Sequence, residues 1–211
     1  TQVLFDVINT MDHPLKVWLN SSTATIYSHT EDRSMDEETG KIGTGFSMDV
    51  ATQWESTFYQ STLPKTRRIA LRTAIVLGTE GGALLPFKRL VKYGLDGKQS
   101  LGNQMFRWIH QEDVYHSILF LFKNEQLEGS FNLSSSNPID NTTMMKALRR
   151  VFKMPFGLPS PIWLLNFGAV LIRTETELVL KSRWVLPKRL VKNGYQFKYS
   201  TIQNALESLM H

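Results

Sequence analysis

Short apolar segments alternate with amphipathic ones along most of this chain. Runs of β-forming residues predict strands, with boundaries at 16–19, 68–78, 105–109 and 130–133. Apolar residues at three- and four-residue spacing predict helices, with boundaries at 1–11, 46–58, 83–93, 113–122, 141–152, 186–194 and 201–209. A proline-rich hinge at 155–161 leads to two further predicted helices, the second from about 174. Strands that alternate with helices favour a parallel sheet with helical crossovers, so the predicted fold class is α/β.

The composition is that of an ordinary globular protein, since 42% of the 211 residues are apolar and 20% are charged. The sequence contains no cysteine, which excludes disulfides, thiolate ligands and a cysteine nucleophile. No apolar run reaches the roughly 18 residues of a transmembrane helix, and no basic segment followed by an apolar core indicates export. We therefore predict a cytoplasmic protein with no membrane partner.

The net charge of +5 is distributed unevenly. The region 31–38 is acidic, whereas the last third is basic, notably over 149–153 and 181–192. Aromatic residues are not interleaved with these cations as they are on surfaces that stack bases, so we expect no nucleic acid partner. The basic residues are compatible with a solvated face or with a wall for a phosphorylated ligand. The five histidines are scattered without carboxylates at ligand spacing, so no metal site is predicted.

A run of hydroxyl residues, NSSTATIY at 20–27, follows the first predicted strand. Ligands of open α/β sheets lie outside the carboxyl ends of the strands, so this run could form one wall of an active site. The alternative is a Ser/Thr turn whose hydroxyls cap the next segment.

Five segments, in this order, resemble the extended short-chain dehydrogenase/reductase superfamily. They are NSSTATIY at 20–27, LRTAIVLG at 71–78 with EGGA after Thr79, FRWIHQEDV at 106–114, NLSSSNP at 132–138, and VLPKRL at 185–190 with GYQF at 194–197. The last segment is similar to the branch of sugar-nucleotide epimerases that end in a small helical domain of unknown function. The resemblance covers nearly the whole chain.

The resemblance implies a Rossmann-like, doubly wound parallel sheet and a smaller, mostly helical C-terminal lobe. We assign 1–78 to the C-terminal half of the Rossmann-like domain and 79–211 to a substrate-binding lobe with the helical domain, with 110–134 packing back on the sheet. It also implies NADP or NAD as the cofactor, a small-molecule substrate such as a nucleotide sugar, and leaves a homodimer open. The family's glycine-rich turn between the first strand and first helix is absent, so we expect roughly eighty residues of the family's layout to be missing at the front.

The family's catalytic device is a Ser or Thr, a Tyr that transfers the proton, and a Lys four residues after it on one helical face. Thr23 matches the hydroxyl position, whereas Phe46 and Val50 occupy the positions of the Tyr and the Lys. Phenylalanine cannot transfer a proton, so the usual acid/base pair is lost. This leaves an epimerase or reductase with an unconventional proton donor or weak activity. The alternative is a non-catalytic nucleotide-sensing or regulatory module, such as the cell-division-inhibitor label of some relatives.

The other candidate residues belong to binding. The resemblance implies cofactor contacts from Asn20, Ser21, Ser22, Ile75 and Leu77, and substrate contacts from Tyr27, Arg107, Trp108 and His110. A guanidinium such as that of Arg107 suits a phosphate or carboxylate, although Trp108 could equally fill the core. Arg72 lies within a predicted strand and calls for a structural ion pair, and Asp113 is interpreted mainly as a helix-start residue.

Overall fold

The computed structural model describes residues 1–30, 32–60, 63–79, 81, 84–92, 94, 102–154 and 182–210. The strands are β1 (Val17–Thr23), β2 (Arg67–Thr73), β3 (Ile75–Leu77), β4 (Met105–Phe106), β5 (Trp108–His110), β6 (Gly129–Leu133) and β7 (Ile139–Asp140). The helices are α1 (Gln2–Asn9), α2 (Phe46–Gln60), α3 (Leu84–Lys92), α4 (Gln111–Lys123), α5 (Asn141–Val151), α6 (Lys188–Lys192) and α7 (Ile202–Ser208), with a 3₁₀ turn at Ala24–Ile26. None of these described helices is both long and apolar enough to cross a bilayer.

A parallel sheet lies at the centre of the described chain. Its strand order is β1-β2-β6, and β1 pairs with β2 from Val17↔Arg67 to Thr23↔Thr73. A second parallel pair joins β3 to β5, and β4 pairs with β7 in antiparallel orientation. Parallel strands joined by helical crossovers confirm the predicted α/β class.

The first strand is longer than its apolar residues predicted. The prediction ended at Leu19, whereas β1 continues through the hydroxyl residues to Thr23. These polar residues stay in the strand because their backbones pair with Ala70–Thr73 of β2. Residues with modest strand propensity are held in the sheet by the neighbouring ladder.

The strand predicted at 68–78 is divided in two by Ala74. The backbone N–H of Ala74 bonds to the carbonyl of Leu133 at the end of β6, and that of Ile75 bonds to the carbonyl of Arg107. The chain therefore leaves one strand partner and takes another at this point. One apolar run thus serves two sheets, which periodicity alone does not reveal.

The two faces of the sheet carry different cores. On one face, Trp18 packs between Phe5 of α1 and Phe58 of α2, with ring centroids 4.8 and 5.1 Å apart. On the other face, Ile69 and Phe131 belong to a cluster of buried apolar residues that also includes α4. Because side chains alternate along a strand, even-numbered residues of β1 face α2 and odd-numbered ones face the opposite layer.

Of two helices with side-chain caps, α4 begins two residues before its predicted start at 113, whereas α5 begins at Asn141 as predicted. The α4 helix begins at Gln111, because the ring of His110 accepts a hydrogen bond from the backbone N–H of Glu112 and acts as the N-cap. The N-cap of α5 is Asp140, whose carboxylate accepts from the backbone N–H of Thr143 at 2.7 Å. The hinge at 155–161 and the two helices predicted after it lie outside the described residues.

The C-terminal segment 184–189 contacts both the loop at Met35 and strand β6 of the central sheet. The backbone of Met35 bonds to those of Trp184 and Leu186, and α6 places the Arg189 guanidinium 4.0 Å from the Phe131 ring centroid. The division of the chain after residue 78 stays a prediction.

Candidate functional site

The hydroxyl run at the end of β1 is split between two faces of the sheet. Ser22 faces α2 and is buried, whereas Ser21 and Thr23 lie on the opposite face, where Ser21 is exposed and Thr23 is half-buried. The side chain of Asn20 lies on the Ser22 face and donates to the carbonyl of Ser21. The structure therefore does not bring Asn20, Ser21 and Ser22 together as one wall, because strand side chains alternate.

Thr23 closes β1 and caps the 3₁₀ turn that follows. Its Oγ1 accepts from the backbone N–H of Thr25 at 3.1 Å, so the capping alternative holds for this residue. The same Oγ1 donates to the Thr25 hydroxyl at 3.0 Å. Thr23 thus keeps one lone pair for a ligand at the carboxyl edge of the sheet.

A buried arginine lies behind these hydroxyls. The Nη2 atom of Arg107 donates to Oγ1 of Thr25 at 3.0 Å, and Arg107 is only 2% exposed. The guanidinium was predicted to contact the substrate directly. The burial corrects that prediction, and one of the hydrogen bonds of the guanidinium goes to Thr25.

The hydroxyl of Ser22 belongs to a buried ion-pair network. It donates to Oε1 of Glu55 at 2.5 Å, while Arg72 donates to both Glu55 oxygens, from Nε at 2.9 Å and from Nη2 at 2.7 Å. The predicted ion pair of Arg72 is therefore present, and its partner is Glu55 of α2. The Ser22 hydroxyl proton is used by this network, and the cofactor contact expected of Ser22 stays a prediction.

Tyr27 continues the same network rather than contacting a substrate. Its ring is fully buried, its hydroxyl donates to Oδ1 of Asn132 at 2.9 Å, and it accepts from Nη1 of Arg72 at 2.9 Å. Burial raises the pKa of Tyr27, although the neighbouring guanidinium acts in the other direction. The predicted substrate contact is corrected here, because the side chain does not reach the surface.

Trp108 and His110 are also buried. Trp108 packs among Leu77 and Phe106 in an apolar cluster, so the core alternative holds for it. His110 stacks on Tyr199 with ring centroids 3.8 Å apart, and its Nε2 lies 3.0 Å from the Ser208 hydroxyl. Burial lowers the pKa of His110, and the neutral ring whose Nδ1 accepts from the backbone serves as a helix cap. The substrate contacts predicted for both residues are not supported by this burial.

Ile75 and Leu77 lie on β3, beside the edge that Thr23 occupies. Leu77 is fully buried and Ile75 is half-buried, and both pack against the apolar cluster of α3 and α5. A cofactor contact from these residues would come from the backbone, as the resemblance implies, and it stays a prediction.

The amino terminus of α2 carries the two residues that replace the proton-transfer pair. Phe46 is 86% exposed at the first position of the helix, and Val50 is half-buried one turn later. The four-residue spacing puts both side chains on one face of α2. Neither side chain can donate or accept a proton.

Thr23 lines neither of two cavities in the described chain. The larger, of about 1010 Å³, lies where β1, β2 and β6 begin, and the smaller, of about 420 Å³, lies beside α6. That the hydroxyl run forms one wall of an active site therefore stays a prediction. At this carboxyl edge of the sheet, the open edge, Ser21 is exposed and Thr23 is half-buried. Histidines and carboxylates of the described part of the chain nowhere gather in a group of three or more that could hold a metal ion.

Asp113 is a structural anchor that sequence reasoning reduced to a helix-start residue. Its buried carboxylate accepts from the backbone N–H groups of Lys198 and Tyr199 at 2.8 and 3.0 Å, and from the hydroxyl of Tyr195 at 3.3 Å. It therefore fixes the chain between α6 and α7 against α4. Thr25 and Glu55 were likewise not singled out, although Thr25 stands inside the hydroxyl run.

Comparison with known proteins identifies the family of this chain. The chain is 31% identical over 210 residues to an epimerase family protein of Staphylococcus aureus, which covers 100% of this chain and 69% of the relative. The chain therefore belongs to this epimerase family. Residues 160–209 also match a domain of unknown function, DUF1731.

Solved structures share the fold. A human epimerase family protein crystallised with NADPH has a TM-score of 0.89 at 24% identity, over 99% of this chain and 70% of the human one. A nucleoside-diphosphate sugar epimerase from Corynebacterium glutamicum has a TM-score of 0.75 at 23% identity, over 97% of this chain and 39% of its own. These likenesses show that the α/β fold is Rossmann-like.

Proposed function

We propose that this protein is an NAD(P)-binding, epimerase-like protein that places a nicotinamide ring and a small substrate at the carboxyl edge of β1. Membership of the epimerase family supports the proposal, as does the shared fold with a human relative crystallised with NADPH. The C. glutamicum protein acts on nucleoside-diphosphate sugars by name, which makes a nucleotide sugar the substrate class we favour.

One observation carries the proposal: Thr23 is half-buried at the carboxyl end of a parallel strand, the edge where open α/β sheets bind their ligands. Its oxygen keeps a lone pair, because it accepts from the Thr25 N–H and donates to the Thr25 hydroxyl. This lone pair can accept a hydrogen bond from a substrate hydroxyl, whereas a ketone oxygen would need the Thr23 proton, which Thr25 accepts in the structure.

The residues present fit the two halves of a dinucleotide unequally. Thr23 offers a hydroxyl at the carboxyl end of β1, which suits a substrate oxygen beside a nicotinamide, whereas a backbone contact from β3 stays a prediction. The pyrophosphate is usually held by a complete G-x-G-x-x-G turn at a helix start, and this sequence contains none. We therefore assign only the nicotinamide half to this chain's residues.

When bound, the dinucleotide supplies or accepts hydride, and the protein orients the reactants. Thr23 holds the reacting oxygen, while Phe46 and Val50 give no proton and no charge to assist it. A reductase or epimerase built on this edge would take its proton from another donor. The replacement of the proton-transfer pair by Phe46 and Val50 favours a second candidate, a non-catalytic module that binds a nucleotide without converting it. Cytoplasmic location and a homodimer remain predictions.

Cofactor binding is tested by titrating the protein with NADPH and, separately, NADH while the nicotinamide fluorescence is recorded. We expect a weak but saturable change for the wild-type chain, because its sequence contains no G-x-G-x-x-G turn for the pyrophosphate. The change should be smaller still in Thr23→Val and retained in Thr23→Ser, which keeps the hydroxyl. Absence of any saturable change with either dinucleotide would refute the cofactor assignment.

The two candidates are separated by grafting the lost pair. The double variant Phe46→Tyr with Val50→Lys restores a phenol and an ammonium one turn apart on α2. Turnover of a nucleotide sugar by the graft, with none by the wild type, indicates a binding module on a decayed catalytic edge. Turnover by the wild type itself indicates an enzyme with another proton donor.

A further inference from the structure

The hydroxyls of Thr23 and Thr25 and the guanidinium of Arg107 form one continuous hydrogen-bonded chain. Arg107 donates to Thr25 at 3.0 Å, and the two threonine oxygens are 3.0 Å apart. A guanidinium has donors only and stays charged throughout the accessible pH range. The direction of the chain at its buried end is therefore fixed, because the Thr25 oxygen must accept from Arg107.

Solvent exposure is lower at the Arg107 end of this chain of hydrogen bonds than at the Thr23 end. Arg107 is 2% exposed, whereas Thr25 and Thr23 are both half-buried. A charge enclosed by protein acts more strongly on its hydrogen-bond partners than one in water. The charge is thus shielded from solvent, while the last hydroxyl of the chain remains accessible from the open edge.

The hydroxyl protons allow two arrangements of the chain. In the structure, Thr23 donates to Thr25. When a ligand oxygen approaches Thr23, the Thr25 proton can turn toward Thr23 and the Thr23 proton toward the ligand, since each hydroxyl has one donor and two lone pairs. All three hydrogen bonds then run from Arg107 outward and reinforce one another.

We infer that Thr25 is a positioning residue through which Arg107 polarises the Thr23 hydroxyl, making it a donor selective for a negatively polarised oxygen, such as a ketone carbonyl, an alkoxide or a carboxylate. This inference rests on the proposed function, because it names what Thr23 does to the reacting oxygen. No proton leaves the chain, so the arrangement stabilises charge on the ligand without replacing the lost acid. Through Thr25, the buried Arg107 thus contributes to ligand recognition without touching the ligand.

The selectivity is tested with acetate and acetamide, which have the same shape and differ in charge. Binding is followed by NMR of the threonine methyl groups in the full chain, with the Thr23 methyl as the reporter. We expect the wild type to prefer acetate, and Thr25→Val to lose that preference by about tenfold, the effect of one charge-assisted hydrogen bond. Thr25→Ser retains the hydroxyl and is expected to behave as the wild type.

The ratio of the two affinities separates polarisation from general damage. A variant that merely distorts the edge weakens acetate and acetamide together and leaves the ratio unchanged, which overturns the inference, as does a wild type without preference for acetate. Thr25→Ala serves as a second variant, because it removes the hydroxyl without placing a branched methyl group there. The NADPH titration is run on the same samples, so failure of cofactor binding is seen independently of the acetate ratio.

Discussion

The buried ion pair between Glu55 and Arg72 is expected to make a large contribution to the free energy of unfolding. Both side chains are nearly enclosed, with 8% and 12% exposure, and the carboxylate also accepts from Ser22. Replacing Glu55 by Ala leaves a buried guanidinium without its carboxylate, which costs about 3–5 kcal/mol. With an assumed urea m-value of about 2 kcal/mol/M, the unfolding midpoint should fall by roughly 2 M.

The matched control is Glu38→Ala. Glu38 pairs with Lys188 at 2.8 Å, but its side chain is 42% exposed, so its loss should cost about 0–1 kcal/mol. The double variant Glu55→Ala with Arg72→Ala removes both buried charges and should cost clearly less than the sum of the two single variants. Equal urea midpoints for Glu55→Ala and Glu38→Ala, at unchanged m, would refute the reasoning.

Three further predictions concern the surroundings of the site. Burial holds the pKa of His110 below its value in the unfolded chain. The contribution of His110 to stability is therefore present above the unfolded pKa and is lost as the pH falls toward the folded pKa. The variant His110→Asn retains a capping side chain, so it should lose less stability than the wild type between pH 7.5 and 5.5 in urea titrations. An alanine Cβ at Gly40 would overlap the Tyr27 ring, so Gly40→Ala should destabilise by about 1–3 kcal/mol in the same assay. Asp113→Ala should speed hydrogen exchange at the backbone amide of Tyr199, which the carboxylate now holds, and unchanged exchange would contradict the anchor.

Much of the fold follows from the apolar pattern, because helices and strands bury one face each. The positions that were not predicted are those whose secondary structure depends on a hydrogen-bond partner far along the chain. The strand predicted at 68–78 breaks at Ala74 because two different neighbours, Leu133 and Arg107, accept its successive N–H groups. Those partners lie far along the chain, and no local propensity encodes them.

The candidate site was predictable by residue type and less so by role. The sequence required a partner for Arg72 but could not identify Glu55, since that choice depends on how α2 docks on the sheet. Arg107 was singled out for a substrate contact, whereas its hydrogen bond to Thr25 depends on the turn after β1. His110 caps α4 through Nδ1, while its other ring nitrogen lies beside the hydroxyl of Ser208, which is 98 residues later in the chain.

The alternation of side chains along β1 separates two uses of the same chemical group. Ser22 donates inward to Glu55 and belongs to the buried network, whereas Thr23 lies on the other face with a lone pair at the open edge. We therefore expect loss of the Ser22 hydroxyl to lower the free energy of unfolding, and under the proposed function we expect loss of the Thr23 hydroxyl to weaken ligand binding. The hydroxyl residues at the end of β1 thus have two different roles. Whether a residue number is odd or even decides which face its side chain lies on, and hence which role it has.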